Sequence, residues 1–141
     1  IIMTTADRAL EMCDRPAWIR GIDHRIDFQN LGLRDLSRSN SAALASFHAG
    51  VTKDKVDVAE LHATYSHHEI ILAQSMGIDR STTRMMPSGG ALVANPLMAA
   101  GLARFGQAAR QIFKGNADRA VAHAAQGACL QQNIVAVLEG N

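Results

Sequence analysis

The sequence has 141 residues, of which 48% are hydrophobic and 4% aromatic, and its formal net charge is +1. This length and composition are typical of one globular domain with its own core. The scattered basic residues and the few aromatic residues argue against a nucleic-acid surface, and no apolar run is long enough to cross a membrane. The two cysteines, Cys13 and Cys129, lie too far apart to suggest a disulfide framework, so we expect a reducing, cytoplasmic location.

The first half of the chain shows two strand patterns and two helix patterns. Strands are predicted at residues 1–4 and 17–27, and helices at residues 6–13 and 41–49. Thr5 is expected to cap the first helix, and Gly50 is expected to end the second. Because a β-branched start is typical of the middle of a strand, we interpret the chain as part of a longer protein.

The second half of the chain alternates strand and helix patterns. Strands are predicted at residues 56–61, 120–125 and 134–138, and helices at residues 67–76 and 97–114. A loop is expected at residues 80–86, followed by a turn at residues 87–90 where proline, serine and two glycines succeed one another. This order of elements predicts an α/β fold with a mixed sheet.

Three segments of the sequence carry a resemblance to a known family. The first, residues 59–69, reads Ala-Glu-Leu-His-Ala-Thr-Tyr-Ser-His-His-Glu. The second, residues 87–101, begins Pro-Ser-Gly-Gly and continues through Asn-Pro to an alanine-rich helix start. The third, residues 126–133, reads Gln-Gly-Ala-Cys-Leu-Gln-Gln-Asn. In this order and at this spacing, the segments resemble the C-terminal half of thiolases, most closely the sterol-carrier or lipid-transfer branch.

The first two segments match family motifs at individual positions. His62 falls where thiolases have the Asn of Asn-Glu-Ala-Phe and where the sterol-carrier branch has the His of His-Asp-Cys-Phe. Tyr65 falls at the Phe position of both motifs. Gly89 and Gly90 match the glycines of Asn-Pro-Ser-Gly-Gly. Asn95 replaces the histidine of the family's Gly-His-Pro motif.

Two further departures from the family concern its cysteines. Thr64 stands where the sterol-carrier branch has Cys, and the Cys of the family's Cys-x-Gly motif aligns near Gly127, two residues before Cys129. The nucleophilic Cys of thiolases belongs to an N-terminal half that this chain lacks. The resemblance therefore implies that residues 1–141 form one C-terminal thiolase-like domain, with a mixed five-stranded sheet covered by helices.

The resemblance also implies partners and a cosubstrate. We expect the domain to join the N-terminal half of the same protein and to form a homodimer, or a heteromer with a small OB-fold and zinc-ribbon protein. Coenzyme A is the implied cosubstrate and acyl-CoA the implied ligand. No covalently bound cofactor, metal ion, nucleic acid or membrane is expected.

Three residues are candidates for catalysis. His62 is interpreted as an oxyanion-hole donor or a proton shuttle, or else as a satisfied residue at a strand end. Asn95 can donate a hydrogen bond but cannot transfer a proton, and it can alternatively cap the following helix. Cys129 is interpreted as a displaced catalytic thiol or as an ordinary buried cysteine.

Tyr65, Gly89 and Gly90 are candidates for substrate binding. Tyr65 is also consistent with simple packing in the family's Phe position, and the two glycines with a tight turn. His67 and His68 are expected at a helix start that points away from the strand end. No further ligands accompany them, so a metal site is not predicted.

These features predict part of an acyl-CoA thiolase-like enzyme that forms or cleaves a carbon–carbon bond next to a CoA thioester. Two alternatives stay open. The chain can be a non-catalytic thiolase-like subunit that scaffolds or activates a catalytic partner, or it can belong to a retro-aldolase that acts on hydroxyacyl-CoA.

Overall fold

A mixed five-stranded sheet organises the fold in the computed structural model, which describes residues 1–140. The strands are β1 (Trp18–Ile26), β2 (Val58–Glu60), β3 (Arg84–Met85), β4 (Arg119–Gln126) and β5 (Gln132–Glu139). They lie in the order β1-β5-β4-β2-β3. β5 runs antiparallel to both of its neighbours, whereas β2 runs parallel to β3 and β4. The predicted α/β fold with a mixed five-stranded sheet is therefore confirmed.

Helices cover both faces of this sheet. They are α1 (Ala6–Met12), α2 (Asn40–Ala49), α3 (Ser66–Met76), α4 (Gly90–Val93) and α5 (Ala100–Phe113), with short 3-10 turns at Leu31–Leu33, Val51–Lys53 and Leu97–Ala99. Two helix ends have a clear cause in the sequence. Gly50 and Gly77 adopt φ angles of 84° and 69°, which glycine reaches without steric cost, and they end α2 and α3.

Two hydrophobic clusters lie on opposite faces of the sheet. On one face, Val121 of β4 belongs to the cluster that includes Ala45 of α2 and Leu72 of α3. On the other face, Ala120 of β4 belongs to the cluster that includes Ile112 of α5. Adjacent residues of a strand point to opposite faces, so the alternation along β4 divides the core between the two helical layers.

Three sequence predictions about local structure are wrong. Residues 1–4 form no strand and are exposed, and β1 and β3 are the two edge strands of the sheet in the described chain. The loop predicted at residues 80–86 contains β3, which pairs with β2 through only two residues, too few to produce a pattern. The helix predicted from residue 97 begins at Ala100, because Leu97 has a φ angle of 44° that is incompatible with a helix.

Candidate functional site

An open cleft of about 610 Å³ lies at the carboxyl ends of β2 and β4, beside the start of α5. Its polar side chains come from the strand ends and the adjoining loops, and its apolar ones from β5 and the start of α5. The polar residues are His24, His62, Thr64, His68, Asn95, Gln126 and Gln132, and the apolar residues include Leu97, Met98, Leu102 and Ile134. This edge of a sheet is where α/β proteins commonly bind ligands.

Two hydrogen bonds fasten His62 to β4. Its main-chain N–H donates to Nδ1 of His123 at 3.2 Å, and its own Nδ1 accepts from the main-chain N–H of Ala125 at 3.3 Å. Because Nδ1 is an acceptor, the proton of the neutral ring is on Nε2. Nε2 is buried and has no hydrogen-bond partner among residues 1–140. His62 thus lines the cleft with a ring whose Nε2–H has no acceptor among residues 1–140.

A buried polar chain continues behind His62. The imidazole of His123 lies 2.8 Å from Asn133 through Nε2 and Oδ1, and Nδ2 of Asn133 donates to Ser41 Oγ and to the carbonyl of Leu130, each at 2.8 Å. Ser41 in turn donates to Asp27 at 2.9 Å. Burial lowers the pKa of His123 to about 4, although the hydrogen bond that its Nε2–H donates to Asn133 acts in the opposite direction, so the ring is neutral at pH 7.

His68 belongs to the cleft, contrary to expectation. It lines the cavity, and its Nδ1 lies 3.4 Å from Thr64 Oγ1. Burial lowers the pKa of His68, and the neighbouring His67 and His62 lower it further. The expectation that both helix-start histidines point away is thus wrong for His68, whereas His67 is exposed and stacks on Tyr65 with ring centroids 5.7 Å apart.

The other two catalytic candidates occupy different places. Asn95 lines the cleft on an exposed segment before α5. It does not cap the following helical segments, because neither their start at Pro96 nor that at Ala99 has a side-chain cap, so that alternative is wrong. Cys129 is exposed rather than buried, and it lies outside the cleft lining in a left-handed conformation with a φ angle of 52°.

The predicted substrate-binding residues surround the site but do not line the cleft. The side chain of Tyr65 is 61% exposed, so it does not pack in the core. Gly89 and Gly90 form the turn that starts α4, with φ angles of 87° and 62°. A Cβ at Gly90 would lie 2.9 Å from the sulfur of Met86, so the tight turn itself requires glycine here.

A buried ion pair holds this glycine turn near the cleft. Ser88 donates to Glu60 through its main-chain N–H at 3.0 Å and through its hydroxyl at 2.7 Å. Arg104 of α5 donates to the Ser88 hydroxyl at 2.9 Å and lies 3.4 Å from the Glu60 carboxylate. The side chains of Glu60 and Arg104 are only 0% and 5% exposed. The turn is thus fixed to the end of β2 and to α5 together.

The sequence interpretation assigned no role to His123, Glu60 or Arg104. A signal for the first two is nevertheless present, since Glu60 directly follows the apolar pair Val58-Ala59 and His123 has apolar residues on both sides. Such residues are buried only when hydrogen-bonded or paired. Arg104 gave no comparable signal, because in sequence it resembles the exposed Arg110 of the same helix.

In residues 1–140, no group of three or more His, Cys, Asp or Glu side chains is arranged to hold a metal ion. None of the helices described there is long and apolar enough to cross a membrane. No protein-family model matches the sequence, and no curated protein is similar to it.

Proposed function

We propose that this chain is a thiolase-like half of an acyl-CoA enzyme that forms or cleaves a carbon–carbon bond next to a CoA thioester. The observation that carries the proposal is that His62, whose buried Nε2 has no partner among residues 1–140, lines the same cleft as Asn95. His62 and Asn95 belong to two separate segments of the chain and line one cavity. The resemblance to thiolase motifs had selected both residues as catalytic candidates.

The chemistry needs donors of this kind. The oxygen of a thioester gains negative charge when its carbonyl is attacked or when an enolate forms. A preorganised N–H donor aimed at that oxygen stabilises the transition state by roughly 3 to 4 kcal/mol. His62 in its Nε2–H form supplies such a donor, and the amide of Asn95 can supply a second. Coenzyme A is the proposed cosubstrate, and no covalently bound cofactor takes part.

The nucleophile of this proposed reaction comes from another polypeptide segment. Around the cleft, the side chains of Leu97, Met98 and Leu102 are 77%, 97% and 60% exposed, and Ile26 on β1 is 60% exposed. Exposed apolar side chains beside a cleft are consistent with an interface. We propose that the N-terminal half of the same protein covers it, within a cytoplasmic homodimer or a heteromer with an OB-fold and zinc-ribbon protein.

One observation favours a second candidate. Asn95 lines the cleft. By the resemblance to thiolases it replaces the family histidine, and it cannot transfer a proton. A retro-aldolase acting on hydroxyacyl-CoA, or a non-catalytic subunit that supports a catalytic partner, fits this loss. Asn95→His separates these functions from thiolysis, since restoring the family residue should keep or raise thiolysis in a thiolase.

The test of the proposed function uses the full natural polypeptide that contains this chain. We expect His62→Ala to lower the turnover of a 3-oxoacyl-CoA by about 10²-fold or more, the scale for one lost donor. His67→Ala is the matched control, because His67 is exposed beside the cleft without lining it. Wild-type turnover in His62→Ala, or loss of turnover in Cys129→Ala instead, would refute the assignment. Sedimentation of the polypeptide only as a monomer would refute the proposed oligomer.

A further inference from the structure

The pairing of β2 with β4 continues beyond its main-chain ladder by means of two imidazole rings. The last ladder pair joins Glu60 and Ala122. Beyond it, the N–H of His62 reaches the ring of His123, and the N–H of Ala125 reaches the ring of His62. Each ring must present an unprotonated Nδ1, since a protonated nitrogen donates and cannot accept. The two rings thus occupy the place of carbonyl acceptors.

We propose that His123 is a positioning residue that holds His62, which lines the cleft, in its Nε2–H form. His123 is 0% exposed and contributes nothing to the cleft lining, so it acts only through its contact with the main chain of His62. If that contact is lost, His62 moves relative to β4 and the bond from Ala125 to its Nδ1 is no longer enforced. The ring can then exchange its proton between the two nitrogens.

The hydrogen bonds from His62 through His123 to Asn133 also connect His62 to the loop between β4 and β5. Cys129 and Leu130 adopt φ angles of 52° and 58°, which non-glycine residues adopt at a cost. Asn133 holds this loop from inside through the Leu130 carbonyl, and Arg34 holds it from outside through the carbonyls of Ala128 and Cys129. Because Leu130 lines the cleft, one amide orients His123 and also shapes the cavity wall.

The position of the proton on His62 is measurable without any assay of activity. Selective ¹⁵N labelling of histidine in the full natural polypeptide reports the protonation of each ring nitrogen, and the spectra of His62→Gln and His123→Asn assign the signals. We expect each ring to carry a proton on Nε2 and to present an unprotonated Nδ1. A His62 ring that carries its proton on Nδ1, or that exchanges between both nitrogens in the wild type, overturns the proposal.

Two substitutions of His123 separate positioning from bulk packing. His123→Leu removes the acceptor for the His62 N–H, whereas the Oδ1 of His123→Asn can replace the lost Nδ1. We expect His123→Leu to mix the two tautomers of His62 and to lower kcat by about tenfold or more with little change in KM. His123→Asn should restore the single tautomer and most of the turnover.

A folded His123→Leu variant with a wild-type tautomer and wild-type kcat overturns the proposal. If His123→Leu does not fold, a folded His123→Asn variant with mixed tautomers overturns it equally. The effect on kcat rests on the proposed function, but the tautomer of His62 does not. Wild-type turnover in His62→Ala together with an Nε2–H tautomer therefore refutes the proposed function and leaves the positioning role intact.

Discussion

Because His123 is buried as a neutral ring, we expect acid to destabilise the protein at pH values above those at which its Asp and Glu side chains are protonated. In an unfolded chain the imidazole has a pKa near 6.5, whereas burial lowers the pKa of His123 to about 4 in the folded chain. Between these two values the unfolded state binds more protons than the folded state. The free energy of unfolding therefore increases with pH in this window. The part of it that depends on a neutral His123 is lost as pH falls from 6.5 towards 4.

The size of this effect follows from the two pKa values. The difference between 6.5 and about 4 corresponds to roughly 3 kcal/mol of stability that is present at pH 7 and absent near pH 4. His68 acts in the same direction, because its pKa is also lowered. The contribution of His123 is consequently isolated by comparing the wild type with His123→Asn, which leaves His68 unchanged.

The assay is urea unfolding of both proteins at several values between pH 7 and pH 4. The stability advantage of the wild type over His123→Asn should shrink by roughly 3 kcal/mol across this range. His24→Asn is the matched control, because His24 is exposed and does not contribute to the lowered pKa of His68 or His123, and its curve should run parallel to that of the wild type. Parallel curves for His123→Asn and the wild type would refute the reasoning that His123 stays neutral through burial.

Three further substitutions test neighbouring parts of the site. Arg104→Ala should lower the free energy of unfolding, measured with urea, by about 3 to 5 kcal/mol, because it leaves the buried carboxylate of Glu60 without its cation. Arg110→Ala is the control and should change this free energy little, because Arg110 is exposed. In steady-state assays, His68→Ala should reduce turnover by about tenfold or more, because His68 lines the cleft. His67→Ala should not reduce turnover in this way. Equal effects of the two substitutions would contradict a role for His68 in the cleft. Cys129→Gly should raise the unfolding free energy by about 1 kcal/mol through relief of its left-handed conformation, and Cys129→Ala should give no such gain.

The fold was largely predictable because its main elements have strong local signals. The alternating pattern that ends in Ile26 gave β1, and Gly50 and Gly77 marked the ends of two helices. The order of the strands in the sheet was not predictable, because it depends on contacts between distant segments. β3 and the strand wrongly predicted at residues 1–4 show the same limit, since a pattern of two to four residues does not specify pairing.

The candidate site was predictable only in part. The motif matches selected His62 and Asn95, which the fold brings into one cleft. The motif positions could not show that His68 turns into the cleft or that Cys129 lies outside it. Those placements depend on the start of α3 and on the left-handed loop after β4. Local sequence does not encode the orientation of such side chains relative to a sheet end.

The distribution of buried polar groups supports a functional origin for this edge of the sheet. Glu60 pairs with Arg104 on the face that carries α5, and His123 bonds to Asn133 on the opposite face. Replacing such groups by well-packed apolar residues is often neutral or stabilising, so stability alone does not explain them. The first network includes Glu60, two residues before His62, and the second includes His123, which accepts a hydrogen bond from the His62 main chain. We infer that they restrict the conformation of the strand ends and hold the His62 ring in one orientation, as the proposed function of this site requires.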